Sequence, residues 1–272
     1  MERTLGLMAG AGVLPGRAAA EAARQGWRVV AFSFEDAPGL AEQAAAVIPS
    51  RIDRIQAVLE ELLARQVSAA LFVGKFWKQR VFEHRHEDAD GAARALAQGG
   101  LSDGALTDMV VTTLAGLGIE VLDQRTFLSP WMARSGVLTA RTPTDSEWTE
   151  IRHGFTLARH LAGFAIGQTV VRSLGVTVAV EAAEGTDETI RRGGSIAGPG
   201  TVVVKAVGAS PDYRFDIPTV GSATIHTMIE VGATALGMEG GKMLLVDRDE
   251  VLRLADGAGI AMVSIDEPSG SG

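Results

Sequence analysis

Thr4-Leu-Gly-Leu-Met-Ala-Gly-Ala-Gly-Val-Leu-Pro-Gly16 decides the fold of the first half of the chain. Thr4–Ala9 is a short apolar run that suits a buried strand, and Gly10 and Gly12 break it at once. Pro15–Gln25 is rich in alanine. Proline is favoured at helix starts, and Gly26 is placed to stop the helix. Strand, glycine turn and helix make a βα unit, and the unit repeats. Trp27–Phe34 reads as a second strand. Asp53–Gln66 carries Ile55, Val58, Leu59, Leu62 and Leu63 at helical spacing. Val67–Val73 is a third strand, Ser102–Leu117 a helix capped by Ser102 or Asp103, and Ile119–Leu122 a fourth strand. Crossovers this long join parallel strands and cover both sheet faces. Residues 1–130 are therefore expected to form a Rossmann-like α/β domain with a parallel sheet.

Gln124–Thr144 breaks the rhythm with Pro130, Gly136 and Pro143. Asp145–Ile166 predicts a helix whose apolar stripe holds Trp148, Ile151, Phe155, Ala158, Ala162 and Ala165. Residues 131–166 thus read as a linker and connecting helix. Beyond it, Thr169–Ser173 and Gly175–Glu181 suit paired strands, and Glu188–Arg192 a short helix. Thr201–Val207 reads as a strand, Ala223–Gly237 as a helix, and Lys242–Val246 as a strand. Asp249–Ala255 reads as a helix and Ile260–Ser264 as a last strand. Residues 167–272 are expected to form a second, C-terminal α/β domain with a mixed sheet.

Composition narrows the function. The chain has 272 residues, is 46% hydrophobic and 21% charged, and carries a net charge of −8. Such a balance belongs to a globular protein, and no basic stripe points to nucleic acid. With 0 cysteines, disulfides, cysteine zinc sites, iron–sulfur clusters and thiol nucleophiles are excluded together. The apolar runs Ile166–Val171 and Val176–Val180 fall far short of the ~20 residues of a membrane span. No targeting segment is read at the start, and a cytoplasmic protein is expected.

Several groups of residues could carry chemistry. Gly10, Ala11, Gly12, Leu14 and Pro15 lie between a strand and a helix N-terminus, where backbone N–H groups favour anions. The dinucleotide fingerprint wants a third glycine where Pro15 stands, and Glu35 and Asp36 sit about where a ribose-binding acid would. Gly74-Lys75 and Asp123-Gln124 end later strands, beyond which an open parallel sheet holds its ligand. Asp103 is either a cap or a ligand contact. In the second half, Glu181, Glu184 and Asp187 follow one strand, with Thr186 among them, and Asp212, Arg214 and Asp216 lie in another loop. Two acidic loops can supply the oxygen shell Mg²⁺ demands, while Lys205 and Arg214 can offset phosphate charge. The histidines show no zinc-helix spacing: His84 and His86 alternate in a charged loop, His153 and His160 are seven apart, and His226 is alone. No Gly-x-Ser-x-Gly elbow or Walker A sequence is present.

The run Val180-Glu-Ala-Ala-Glu-Gly-Thr-Asp187 with Arg191, the run Val204-Lys205 to Arg214-Phe-Asp-Ile-Pro-Thr-Val-Gly221 with Thr224-Ile225, and the opening Ala9–Pro15 together resemble the LpxI family. Gly74-Lys75 and Gly241–Asp247 are similar to further segments, and the likeness spans essentially the whole chain in order. One segment departs: the family often shows Gly-Asp-Asp-Ala-Leu-Leu where Leu101-Ser-Asp-Gly-Ala-Leu106 stands here, so Asp103 survives and the second acid is Gly104. The resemblance implies a Mg²⁺-dependent hydrolase of Gram-negative lipid A biosynthesis. Such an enzyme splits UDP-2,3-diacylglucosamine into UMP and 2,3-diacylglucosamine 1-phosphate, lipid X. It also implies two domains with the substrate held between them, and two acyl chains that call for an apolar groove whose expected walls include the stripe with Trp148, Ile151 and Phe155. On that reading Asp216, Lys205 and Arg214 are the catalytic candidates, and Asp216, Asp187 and Glu184 the metal ligands. Gly10, Ala11, Gly12, Leu14, Pro15, Gly74, Lys75, Asp103, Asp123, Gln124 and Thr186 would meet the substrate. The implied partners are the acylated UDP-sugar and its lipid product, with at most transient contact at the inner membrane; a homodimer is allowed. Two other classes stay open: an NAD-dependent oxidoreductase built on the first turn, and a non-enzymatic carrier of a nucleotide sugar or lipid.

Overall fold

The structure, a computed structural model, describes residues 3–76 and 103–266, the side chains of 103–106 excepted. The chain divides into two compact units. One holds Met1–Ser129 and Asp212–Asp216; the other holds Pro130–Pro211 and Ile217–Gly272.

The first unit is built on five parallel strands: β1 (Arg3–Ala9), β2 (Trp27–Ser33), β3 (Ala46–Pro49), β4 (Ala69–Val73) and β5 (Glu120–Val121). Their order is β3-β2-β1-β4-β5, that of a Rossmann sheet without its sixth strand. β1 pairs with both β2 and β4 and is nearly all buried, as a central parallel strand must be. Helix α1 (Leu14–Arg24) lies against the sheet through Ala18, Ala19 and Ala22, each fully buried. Helix α2 (Ile55–Ala64) presses Leu62 so close to Gly6 that a Cβ there would lie 2.8 Å from its Cδ2. Helix α3 (Asp103–Gly116) leads into β5.

Two expectations for this unit change. Leu14, not Pro15, is the first helical residue, so the proline sits one place further in. β3 was not read from the sequence: four residues ending in Pro49 on a sheet edge look like a tail of the alanine-rich run before them.

The second unit carries a mixed six-stranded sheet in the order β6-β13-β11-β9-β7-β8. Its strands are β6 (Gly136–Val137), β7 (Thr169–Ser173), β8 (Val176–Val180), β9 (Val202–Lys205), β11 (Ala235–Glu239) and β13 (Ala261–Ile265). β9, β11 and β13 run parallel; β6, β7 and β8 are joined antiparallel. A separate parallel pair joins β10 (Thr219–Val220) to β12 (Leu244–Leu245). Helix α4 (Asp145–Gly163) covers one face, burying Ile151, Phe155 and Ala158 among Val170, Val202, Val204 and Ala235. Ile151 and Phe155 each contribute roughly 1.5–3 kcal/mol of burial. α4 belongs to the second unit and ends at Gly163, short of the expected Ile166, and the middle of its stripe is core: Ile151 is 0% and Phe155 2% exposed, which leaves neither as a wall for acyl chains, while Trp148 is half-buried. The opposite face carries α5 (Thr186–Ala197), α6 (Ser222–Glu230) and α7 (Arg248–Gly257) over Val171, Ile190, Val203, Ile225 and Val251.

The hairpin β7–β8 and the strands β9 and β13 lie where expected. The helix expected over Ala223–Gly237 does not. It ends at Glu230, and β11 follows. Gly232, at φ +67°, takes the left-handed turn that closes a helix, and Ala233 N–H bonds back to Met228 O at 2.9 Å. The strand expected over Lys242–Val246 shrinks to β12, and Gln124–Thr144 contains a helical turn, Arg125–Leu128, and β6.

Candidate functional site

In the first unit the strand order reverses between β1 and β4, and Gly10 and Gly74 meet there. Gly10 N–H donates to Val73 O (2.8 Å), and Ala11 and Lys75 exchange backbone bonds of 2.8 and 2.9 Å. Gly12 N–H donates to Asp36 O at 3.1 Å. The N–H groups of Gly10, Ala11 and Gly12 thus already bond to backbone oxygens. An anion here has to be met further on, at the first turn of α1, where Leu14 opens the helix and Pro15 brings no N–H. Gly16 brings this helix within 2.8 Å of Pro38 O, measured from where its Cβ would stand.

Asp123 and Gln124 follow β5. Asp123 grips Arg125 through bonds of 2.5–3.0 Å. Burial pushes its carboxyl up, but the Arg125 guanidinium and N–H outweigh this and hold it below the usual range. Gln124 is buried and its N–H donates to Tyr213 O. Asp212 grips Arg214 in the same two-pronged way, at 2.9 and 2.7 Å, and this bond lowers the Asp212 carboxyl. Arg214 thus arrives already paired. Asp216 is exposed, four residues on, with its N–H directed at Asp212 O. Asp103 opens α3, and its side chain lies outside the described residues, as do His84 and His86.

The second unit gathers Lys205, Thr186 and Glu181 at the carboxyl end of β9. Lys205 is 8% exposed. Its Nζ donates to Thr186 Oγ1 and to Thr219 O, both at 3.1 Å. The Thr186 hydroxyl in turn donates a hydrogen bond to Glu181 Oε1 at 3.0 Å. Among the described residues no carboxylate lies within ion-pair distance of Lys205, so a nearly buried ammonium is met directly by neutral oxygens alone. Thr186 is also the first residue of α5, so the positive end of that helix adds to the ammonium. The arrangement favours an anion with several oxygens.

The proposed metal ligands separate. Glu184 is committed: it accepts from Arg192 (2.5 Å), Thr189 (3.1 Å) and Ala182 N–H (3.1 Å). Backbone hydrogen bonding lowers its carboxyl most; burial opposes this, and Arg192 and Thr189 add to the lowering. It braces the start of α5. Asp187 meets Thr224 Oγ1 at 3.5 Å. Among the described residues no three His, Asp or Glu side chains converge as a metal-binding group. Mg²⁺ does not require that, since it keeps waters and is usually bound by one or two carboxylates plus substrate phosphates. Asp187, in the second unit, is a single carboxylate of the kind such a shell uses, as is Asp216 in the first unit; Glu184, already committed to Arg192 and Thr189, is not.

Sequence reasoning missed Arg125, Tyr213 and Phe215. Tyr213 is 7% exposed, Phe215 packs on Phe72 at 5.1 Å, and the Arg125 guanidinium lies 4.1 Å over the Tyr213 ring. The signal was present: Asp-Tyr-Arg-Phe-Asp alternates polar with aromatic and holds the chain's 1 tyrosine. Glu239 was also missed. It is fully buried at the end of β11, accepting from Val207 N–H at 2.8 Å and pairing with Lys242 at 2.8 Å.

No helix among the described residues is long and apolar enough to cross a membrane. Bifunctional purine biosynthesis protein PurH of Brucella ovis is 29% identical over 62% of this chain and 31% of its own. A solved ADP complex of an N5-carboxyaminoimidazole ribonucleotide synthetase has 13% identity over 72% of this chain and 45% of that one, with a TM-score of 0.27, too low to bear on function. UDP-2,3-diacylglucosamine pyrophosphatase LpxI of Caulobacter vibrioides is 30% identical over 97% of this chain and 98% of that protein. Residues 4–131 match the sequence model of the LpxI N-terminal domain and residues 134–263 that of the LpxI C-terminal domain. Matched from end to end by both domains in order, the chain belongs to the LpxI family.

Proposed function

We propose that this chain hydrolyses the pyrophosphate bond of UDP-2,3-diacylglucosamine, giving UMP and lipid X. The observation that carries the reading is Lys205, a nearly buried ammonium with neutral oxygen partners at the N-terminus of α5. A diphosphate brings the direct anionic partner that Lys205 otherwise meets only through Thr186 and Glu181. Thr186 holds the ammonium and orients it. Water adds to one phosphorus, one P–O bond breaks, and the proton of the attacking water must leave. Asp216 is the proposed acceptor or orienter of that water. Mg²⁺, held through Asp187 or Asp216, supplies neutralisation of phosphate oxygens when bound. The enzyme would work in the cytoplasm and meet its lipid substrate by transient contact with the inner membrane.

The test is incubation of the purified protein with UDP-2,3-diacylglucosamine and Mg²⁺, reading UMP and lipid X. Asp216→Ala should lower turnover by about 10²–10⁴-fold while the variant stays folded and binds substrate. Binding by the wild type without UMP release would mark a carrier and end the proposal.

A further inference from the structure

We infer that Tyr213, Phe215 and Arg125 form an anchor that sets the place of Asp216, which makes Tyr213 and Arg125 positioning residues. The inference rests on the hydrolytic reading above. Asp212–Asp216 comes from the second half of the chain yet belongs to the first unit. It has no helix or strand of its own to hold it.

What holds it is a set of side chains. Tyr213 is buried, and its carbonyl accepts from Gln124 N–H at 2.9 Å. Arg125 covers the Tyr213 ring at 4.1 Å and is itself fixed by Asp123. Phe215 rests on Phe72 of β4 at 5.1 Å, while Asp123–Arg125 follow β5. Both rings are therefore pinned to the carboxyl ends of two neighbouring strands of the sheet. Within the segment, Phe215 N–H and Asp216 N–H turn back to Asp212 O at 3.2 and 3.4 Å. Asp216 is the residue next to the second ring, so little slack separates anchor from carboxylate. On the far side Ile217 is buried, which limits the backbone there too.

A displacement of about 1 Å in a reacting group can lower turnover ~10²-fold. Tyr213→Ala and Arg125→Ala should therefore reduce kcat by about 10–10²-fold with KM unchanged. Amide hydrogen exchange at Phe215 and Asp216 should quicken in both. Should Tyr213→Ala fail to fold, Arg125→Ala, a half-exposed residue, carries the test. Wild-type kcat in a folded variant overturns the inference. If the wild type itself releases no UMP, the hydrolytic reading falls, and exchange then judges the anchor alone: unchanged protection in the variants refutes it.

Discussion

Replacing Gly12, Gly10 and Gly74 by alanine, one at a time, separates two ways in which the turn between β1 and β4 depends on glycine. Gly12 has φ +100° and open space around its missing Cβ, so Gly12→Ala meets conformational strain alone, about 1–2 kcal/mol. Gly10 has no positive φ, but a Cβ there would lie 2.8 Å from Lys75 O and 2.9 Å from Gly74 C. Both contacts are backbone and cannot swing aside, so Gly10→Ala should cost about 1–3 kcal/mol as overpacking. Gly74 has both faults: φ +100°, and a Cβ 2.8 Å from Gly10 C and O. Gly74→Ala should then destabilise by about 2–5 kcal/mol, the sum of the two. Urea unfolding followed by hydrogen exchange of peptides from β1 and β4 reads this unit separately from the other. The expected order is Gly12→Ala, Gly10→Ala, Gly74→Ala, mildest first. If Gly74→Ala were no worse than Gly12→Ala, the close crossing of the two turns would not be a constraint.

Two further outcomes are expected. Glu147 caps the start of α4 and binds Arg141 at 2.8 and 2.9 Å; burial pushes its carboxyl up, but Arg141 and Thr144 N–H outweigh this and bring it from 4.5 to about 2. A depressed carboxyl stabilises fully above its unfolded value and loses that contribution as pH falls from about 4.5 to about 2. After allowance for solvent screening this is about 1–2 kcal/mol, so Glu147→Gln should be less stable at neutral pH and should lose less on acidification in a melting series. Thr186→Val removes the hydroxyl that joins Lys205 to Glu181; kcat/KM should fall about 10–10²-fold, and Thr186→Ser should recover most of it.

The parallel sheet of the first unit was readable because β1, β2 and β4 end in glycine or a polar turn and α1 and α2 show their spacing. β3 was not, since an edge strand of four residues buries too little to leave a pattern. β11 was hidden because Val231–Met238, apolar but for Thr234, continues the helical run before it, and the stop at Gly232 was passed over as one glycine among many. In the site, Lys205 and Thr186 were readable as types and positions. Their pairing was not: they lie nineteen residues apart and meet through the sheet. Glu184 shows the opposite failure, because its sequence neighbourhood suits a metal ligand while Arg192, two turns along α5, has already claimed it. A helix stripe such as Ile151 and Phe155 reads the same whether it faces a ligand or a core, and only the neighbouring strands decide.

The split of the first unit across the chain also bears on its birth. Synthesis proceeds at about 5–20 residues per second, so the sheet of β1–β5 waits several seconds for Asp212–Asp216 to emerge. During that interval Phe72 lacks the Phe215 ring, and Arg125 and Gln124 N–H lack Tyr213. A fragment ending at Ser129 would stay in that unfinished condition permanently, with apolar surface bare at the end of β4. A chaperone that covers this patch until the later segment arrives would serve the nascent protein, and a fragment meant to stand alone would need residues 212–216 restored to it.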